Sequence, residues 1–334
     1  MTRREFLTLI GGASAASLSW PPFAARAQQT GKVWRIGFLT PRSRPSPPAH
    51  DSFSDAFLRG MSDLGYGEGK NLFVEWRYAD GDYKRLAGFA TELVGMNPPV
   101  IVTYGTAAAR VLQGTTKTVP IVVAAAVDLV GAGIVASLAR PGGNITGLSV
   151  IDVDMSTKQL ELLKAISPKL SRVAVLLNPG NPANPAVLKH VQASAPALGV
   201  EVVAVSAATP QAIESAFAEA ARAGAGAVIV AADAFFSGQG PQLAASALAQ
   251  RLATISLYQD HVSAGCLMNY GQNVADFHQR AARYVDKILK GAKPEDLPVE
   301  QPTKFDLVIN KKTADLLGLA IPLELLVSAD RVIE

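Results

Sequence analysis

Short apolar runs typical of buried strands alternate with amphipathic helical stretches along almost the whole chain after Lys32. Unbroken apolar runs are typical of parallel strands that are covered on both faces. Helices of about 10–15 residues between such strands indicate right-handed crossover connections. The alternation therefore predicts an α/β fold built on doubly wound parallel sheets.

The predicted elements divide into two series, separated by a turn at Pro141–Asn144. Strands are predicted at Val33–Thr40, Leu72–Tyr78, Val100–Tyr104, Ile121–Ala125, Arg172–Leu177, Glu201–Val205, Ala227–Ala231, Thr254–Tyr258, Cys266–Tyr270 and Phe305–Ile309. Helices are predicted from about Asp51 to Leu64, from Tyr83 to Met96 and, as the final helix, from about Lys312 to Leu317. The segment Asn144–Gly147 has the composition of a further turn.

The two series repeat one layout. Val100–Ala107 is a strand that runs into a small-residue helix start, and Val228–Phe235 has the same plan. We therefore predict two similar lobes joined by a multi-crossing hinge, with a ligand cleft between them. We expect one lobe to comprise residues 31–148 and about 272–300, and the other about 149–271 and 301–334.

The first 27 residues have the layout of an export signal. A twin-arginine block, Thr2–Leu7, precedes an apolar stretch, and Ala25-Arg26-Ala27 offers small residues at a cleavage position. We predict export to the periplasm by the twin-arginine route, with cleavage after Ala27. An uncleaved N-terminal anchor is the alternative.

The remaining 307 residues suit two domains. Without the signal, 28 basic residues face 27 acidic ones, which argues against nucleic acid as a partner. After Ala27 no apolar stretch reaches the roughly 18 residues that a membrane helix needs. Cys266 is the only cysteine, and we expect it to be a small buried side chain. These features predict a free, soluble periplasmic protein, and we expect it to be a monomer.

The motifs of common enzyme classes are missing. The four histidines are scattered without metal-ligand spacing, and we place His190 and His278 at helix surfaces or boundaries. The sequence contains neither a nucleophile elbow nor a phosphate-binding loop, and the glycines of Gly65–Gly69 read as a helix stop and turn. We therefore expect no enzymatic activity, no cofactor and no metal.

Polar and aromatic residues at strand ends are the candidates for ligand binding, because open α/β sheets bind ligands at the carboxyl ends of their strands. The candidates are Thr40, Tyr104, Thr106, Asp128, Asp233, Tyr258 and Tyr270. We expect them to approach a single cleft that holds a small carboxylate-bearing or amino-acid-like solute.

Each candidate also has a purely structural interpretation. Thr106 opens a helix whose free N–H groups suit a carboxylate, but it is equally suited to a plain N-cap. Asp128 and Asp233 either face an ammonium group or cap the helices that follow. Tyr258 and Tyr270 either cover an apolar ligand group or pack in the core or hinge.

Several phrases of the sequence resemble one family. They are R-R-E-F-L with A-R-A-Q in the signal, R-I-G-F-L at Arg35–Leu39, V-x-S-L-A-R-P-G-G-N-I-T-G at Val135–Gly147, the run at Lys287–Asn310 and A-D-L-L-G-L-A-I-P at Ala314–Pro322. Together they resemble the substrate-binding proteins of ABC importers in the tryptophan/tyrosine-binding-like family.

This resemblance implies the type I periplasmic binding fold, with two lobes joined by three crossings. It implies capture of a small solute for a membrane permease, with aromatic amino acids among the ligands. A periplasmic sensor that reports to a membrane signalling protein is the alternative role. The chain departs from the family at two places, with Asp128-Leu129 in place of Asp-Pro and Gly105-Thr106-Ala107 in place of Gly-Thr-Pro.

Overall fold

Two sheets form the centres of two α/β lobes in the structure, which is a computed structural model. It describes residues 32–45, 51–151 and 153–334, and the chain from Val33 to Glu334 forms one compact unit. The predicted fold class is confirmed. The predicted export signal and its cleavage position lie outside the described residues.

In both sheets, most strands that are neighbours in space are also consecutive in the chain. The first sheet has the order β2-β1-β3-β4-β5 and the second the order β12-β11-β10-β9-β8-β6-β7. Their bounds are β1 Trp34–Thr40, β2 Leu72–Tyr78, β3 Ile101–Tyr104, β4 Ile121–Val127, β5 Ile145–Val150, β6 Arg172–Leu177, β7 Glu201–Ser206, β8 Ala227–Val230, β9 Ala253–Ser256, β10 Met268–Gly271, β11 Asp306–Asn310 and β12 Arg331–Ile333. Neighbouring strands are parallel except β10 and β11, which are antiparallel.

Helices cover the sheets. They are α1 Ser52–Asp63, α2 Leu86–Gly95, α3 Thr106–Thr115, α4 Val153–Ile166, α5 Asn184–Ser194, α6 Pro210–Arg222, α7 Gly240–Ala249, α8 Gln259–Ser263, α9 Val274–Leu289, α10 Lys311–Leu317 and α11 Leu323–Ser328. In the part of the chain that the structure describes, none of them combines the length and apolar character needed to cross a membrane.

Helix α9 returns the chain to the first lobe. Asn273 caps it by accepting a hydrogen bond from Asp276 N, and its apolar face, which includes Phe277 and Ala281, belongs to the core that contains Phe57 and Met61 of α1. The two helices approach so closely that a Cβ on Gly60 would overlap the carbonyl oxygen of Gln279. A glycine on α1 therefore permits this contact.

Three segments connect the lobes, and one side chain joins them. The buried Gln272 accepts a hydrogen bond from Ile151 N at 3.0 Å and donates one to Pro302 O. Ile151 follows β5, Gln272 follows β10, and Pro302 precedes β11, so each belongs to a different crossing. The lobe boundaries predicted from the sequence stay a proposal, which this arrangement and the packing of α9 support.

The structure also differs from the predicted elements. The segment read as a turn at Asn144–Gly147 is instead the start of β5, which begins at Ile145, and a Cβ on Gly147 would lie 2.6 Å from Val123 N of β4. Glycine at position 147 allows the close approach of the two strands. Asn144 binds through its side chain, because its Nδ2 donates to Val119 O. The elements α11 and β12 follow the helix that we expected to be the last.

Most other predicted elements are found with shifted ends, and the strand predicted at Cys266 begins at Met268. Cys266 itself is buried, as expected, and burial raises its pKa to about 12. A thiol in this environment stays protonated at neutral pH.

The packing of α1 against α9 can be tested at its closest point. Gly60→Ala places a methyl group against the backbone at Gln279 and 2.9 Å from the Ala282 Cβ, so we expect a loss of about 1–3 kcal/mol of stability in urea unfolding. Gly88→Ala on α2 is the matched control, because nothing lies within 4 Å of its Cβ position. The control should be neutral or up to about 1 kcal/mol more stable. Equal stability of the two variants would contradict the contact.

Candidate ligand-binding site

Four of the seven predicted site residues line one cavity between the lobes. Tyr104 and Thr106 come from the end of β3 and the start of α3, while Asp233 and Tyr258 follow β8 and β9. All four side chains are buried. The other lining residues are Gly105, Ala125, Ala126, Val127, Val150, Asn181, Ala232, Ala234, Leu257 and Val274. The carboxyl ends of strands from both sheets therefore meet here, as parallel α/β topology predicts.

Two tyrosines join the lobes directly. Tyr104 Oη donates a hydrogen bond to Tyr258 Oη at 3.1 Å, and Tyr258 Oη donates to Asp233 O at 2.9 Å. The Asp233 N–H in turn donates to Tyr258 Oη at 3.1 Å. Burial raises the pKa of Tyr104 to about 12 and raises the pKa of Tyr258 well above its ordinary value. Both hydroxyls therefore remain protonated at neutral pH and can act as donors.

The Asp233 carboxylate is surrounded by donors from the protein. Oδ1 accepts from Asn178 Nδ2 at 3.1 Å and from Phe235 N at 2.9 Å, and Oδ2 accepts from Asn181 Nδ2 at 2.9 Å and from Tyr83 Oη at 2.7 Å. Burial raises the pKa of Asp233, and these hydrogen bonds act in the opposite direction. The carboxylate thus links Tyr83 of the first lobe to the second lobe, beside the cavity.

Thr106 is bound to its own lobe through its hydroxyl. Oγ1 donates to Val127 O at 3.2 Å and accepts from Val127 N at 3.1 Å. The main chain at Thr106 is not bound in this way. Gly105, with φ of 88°, turns the chain into α3, and the first hydrogen bond of the helix runs from Ala109 N to Gly105 O. The preceding N–H groups at the helix start are those suited to an anion.

The remaining three predicted residues do not line this cavity. Thr40 Oγ1 accepts a hydrogen bond from Arg42 N at 3.2 Å. Asp128, at φ of 43°, accepts from Gly131 N and lines a neighbouring cavity of about 100 Å³. Tyr270 stacks on Phe305 with 5.6 Å between ring centroids. The predicted convergence of all seven on one cavity is therefore observed for four, and a ligand-binding role stays a prediction for each.

An aromatic cluster that the sequence analysis missed covers the first-lobe side. His278 lies 4.8 Å from the Phe53 ring and 5.0 Å from the Tyr104 ring, and Phe53 meets Tyr104 edge-on at 5.4 Å. The prediction that His278 lies at a helix surface or boundary is wrong, because its side chain is 1% exposed. Its spacing of four residues from Val274 and from Ala282 places it on the apolar face of α9, which was the available signal.

The cavity is almost filled by these side chains. It leaves about 20 Å³ for the centres of water molecules, which is roughly the room of one water. A second cavity of about 160 Å³ adjoins it, sharing Tyr258 and Val274 and reaching Phe53 and Gln272. The lobes are therefore closed on each other, and an amino-acid-sized solute needs them to separate.

A metal centre is not formed by the residues described. Within ranges 32–45, 51–151 and 153–334, no three His, Cys, Asp or Glu side chains are grouped as metal ligands.

Comparison with known proteins gives consistent similarities. The profile of the family described as ABC transporter substrate binding protein matches residues 45–333. A tyrosine-binding protein of Clostridioides difficile is 26% identical over 277 residues, which cover 81% of this chain and 78% of the relative.

Two solved structures are similar over most of the chain. A conserved domain protein from Vibrio cholerae has a TM-score of 0.83 and 30% identity, covering 90% of this chain and 100% of that one. The ABC domain in complex with L-Trp from Streptococcus pneumoniae has a TM-score of 0.82 and 27% identity, with the same coverage.

The Tyr83–Asp233 contact provides a test of lobe closure. Tyr83→Phe removes one hydrogen bond to a buried carboxylate and should weaken the closed form by about 1.5–3 kcal/mol. We expect a larger radius of gyration in X-ray scattering. Tyr66→Phe is the matched control, since it removes the Tyr66–Asp286 bond of 2.8 Å within the first lobe. A radius unchanged by Tyr83→Phe, or increased equally by both variants, would argue against an interlobe bond.

Two buried histidines predict acid sensitivity. Burial lowers the pKa of His278 and of His261 from 6.5 to about 4, although His278 Nδ1 donates to Val274 O and His261 Nε2 to Phe236 O. The unfolded chain therefore binds more protons below pH 6.5, and stability should fall between pH 6.5 and 4. Melting temperatures should fall less steeply for His278→Gln than for the parent. His190→Gln, on α5, should keep the parent slope, and identical slopes for all three would contradict the prediction.

Proposed function

This chain belongs to the family of ABC transporter substrate-binding proteins, and on that premise we propose that it captures a small carboxylate-bearing or amino-acid-like solute between its lobes. The captured solute is presented to the membrane permease of an importer. The observation that carries the proposal is the cavity at which Tyr104 and Thr106 of one lobe meet Asp233 and Tyr258 of the other. Binding groups divided between two lobes couple ligand capture to closure.

The chemistry of the cleft fits an amino-acid-like ligand. The start of α3 suits a carboxylate, and the rings of Phe53, Tyr104 and Tyr258 suit an apolar or aromatic group. The relative in Clostridioides difficile is named for tyrosine, and the similar Streptococcus pneumoniae domain holds L-Trp. Aromatic amino acids are therefore the first ligands to test, and the cavity-lining residues are the proposed contacts.

The twin-arginine block and the Ala25–Ala27 cleavage pattern support export to the periplasm, with a mature chain that begins at Gln28. We propose that the exported protein acts there as a monomer without catalytic activity. Fusion of residues 1–40 to a reporter tests the route, because replacing Arg3 and Arg4 by lysine should retain the reporter in the cytoplasm.

Calorimetry and thermal shift with L-Trp, L-Tyr and L-Phe test ligand capture. A ligand at 100 times its Kd should add about 2.7 kcal/mol of stability and raise the melting temperature by several degrees. Tyr258→Phe removes the bonds to Tyr104 and Asp233 and should weaken binding by about 1–3 kcal/mol. Tyr270 does not line the cavity, so Tyr270→Phe serves as the control. Absence of binding by these three, by other amino acids, by aromatic acids and by small peptides would reject the proposal.

A further inference from the structure

We infer that Arg42 binds the anionic group of the ligand, an inference that rests on the proposed solute capture and specifies a carboxylate. Arg42 lies two residues after β1, at the carboxyl end of the strand, where ligands of α/β sheets bind. Its side chain is only 11% exposed. The sequence analysis selected Thr40 on this loop, and the structure shows that the Thr40 hydroxyl instead accepts from the Arg42 main chain.

One side of the guanidinium is already occupied. Nη2 lies 3.0 Å from Asp51 Oδ1, and Asp51 also caps α1 by accepting from Phe53 N at 3.1 Å and binds Ser54 Oγ at 2.7 Å. The other side differs, because Nη1 is buried and has no hydrogen-bond partner within the described part of the chain. A buried donor on a charged group without an acceptor is unfavourable, and an acceptor supplied by the ligand removes that cost.

The cation lies beside the aromatic wall of the cleft. The Arg42 guanidinium carbon is 4.1 Å from the centroid of the Phe53 ring, and Phe53 packs on Tyr104 and His278 and lines the cavity of about 160 Å³ together with Tyr258. The positive charge of Arg42 acts on groups of both lobes. Burial is the main cause of the raised pKa of Tyr104 and of the lowered pKa of His261, and the charge of Arg42 lowers each of these two pKa values.

A carboxylate is the group that this site recognises. The planar guanidinium presents paired N–H donors that match the two oxygens of a carboxylate, and such pairs are strong when they are shielded from water. Asp51 neutralises the arginine, so a bound carboxylate leaves one negative charge in the cleft. An ammonium group on the same solute balances that charge, which favours a zwitterionic amino acid over a simple acid.

Paired acids and amides test the inference by calorimetry. The probes are L-Trp with L-Trp amide, L-Tyr with L-Tyr amide, and indole-3-acetate with indole-3-acetamide. The parent protein should bind at least one acid 10-fold or more tightly than its amide. Arg42→Gln should weaken binding of that acid 10- to 100-fold and leave the amide unchanged, so that the preference disappears. Arg44→Gln, an exposed arginine on the same loop, should keep the preference.

Two further variants keep the test decisive if Arg42→Gln disturbs folding by leaving Asp51 unpaired. Arg42→Lys retains the charge without the planar pair of donors and should give an intermediate preference. Arg42→Gln combined with Asp51→Asn removes both charges and should abolish the preference. Equal binding of acids and amides by the parent leaves solute capture intact and rejects the inference. An acid preference that survives the double change also rejects it, and absence of binding by every probe counts against both proposals.

Discussion

The hydrogen bonds of Gln272 hold together the three segments that join the lobes. Its amide oxygen accepts from Ile151 N and its amide nitrogen donates to Pro302 O, so one buried side chain connects all three crossings. A polar side chain at such a position stays favourable only while both of its groups are bonded. This requirement keeps the crossings side by side, and we expect it to favour bending of the lobes about one line over other relative motions.

The position of the cleft follows from that restriction. Lobes that bend about one line bring the same strand ends together each time they close, so Tyr104 meets Tyr258 and Tyr83 meets Asp233. These interlobe bonds form between protein groups and stabilise the closed arrangement. A ligand shifts the balance between open and closed forms only by its difference in affinity for the two. Its contribution therefore depends on groups that the closed protein leaves unsatisfied.

The polar groups of the cleft differ sharply in that respect. The Asp233 carboxylate accepts five hydrogen bonds from the protein, and the Thr106 hydroxyl is bonded twice to β4. Among the described residues, Arg42 Nη1 is buried without a hydrogen-bond partner, and the N–H groups at the start of α3 are of the kind that suits an anion. Both suit a negative charge, and they lie on the first lobe, whereas Asp233 and its donors fix the second lobe. In the proposed mode of capture, the first lobe thus recognises the anion, and the second completes the closure.

Local pattern in the sequence predicted the fold class, most of the strands and the position of Tyr104, Thr106, Asp233 and Tyr258 at strand ends, because the parallel strands of a sheet end at one edge. It could not distinguish the turn read at Asn144–Gly147 from the start of β5, since glycine and asparagine serve turns and close backbone contacts alike. Only the tertiary structure decided that Tyr83 and Asn178 saturate Asp233, that His278 is buried, and that Arg42 keeps a donor. Each of these depends on contacts between segments far apart in the chain, and a side chain's partners across such distances are fixed by packing and not by local sequence.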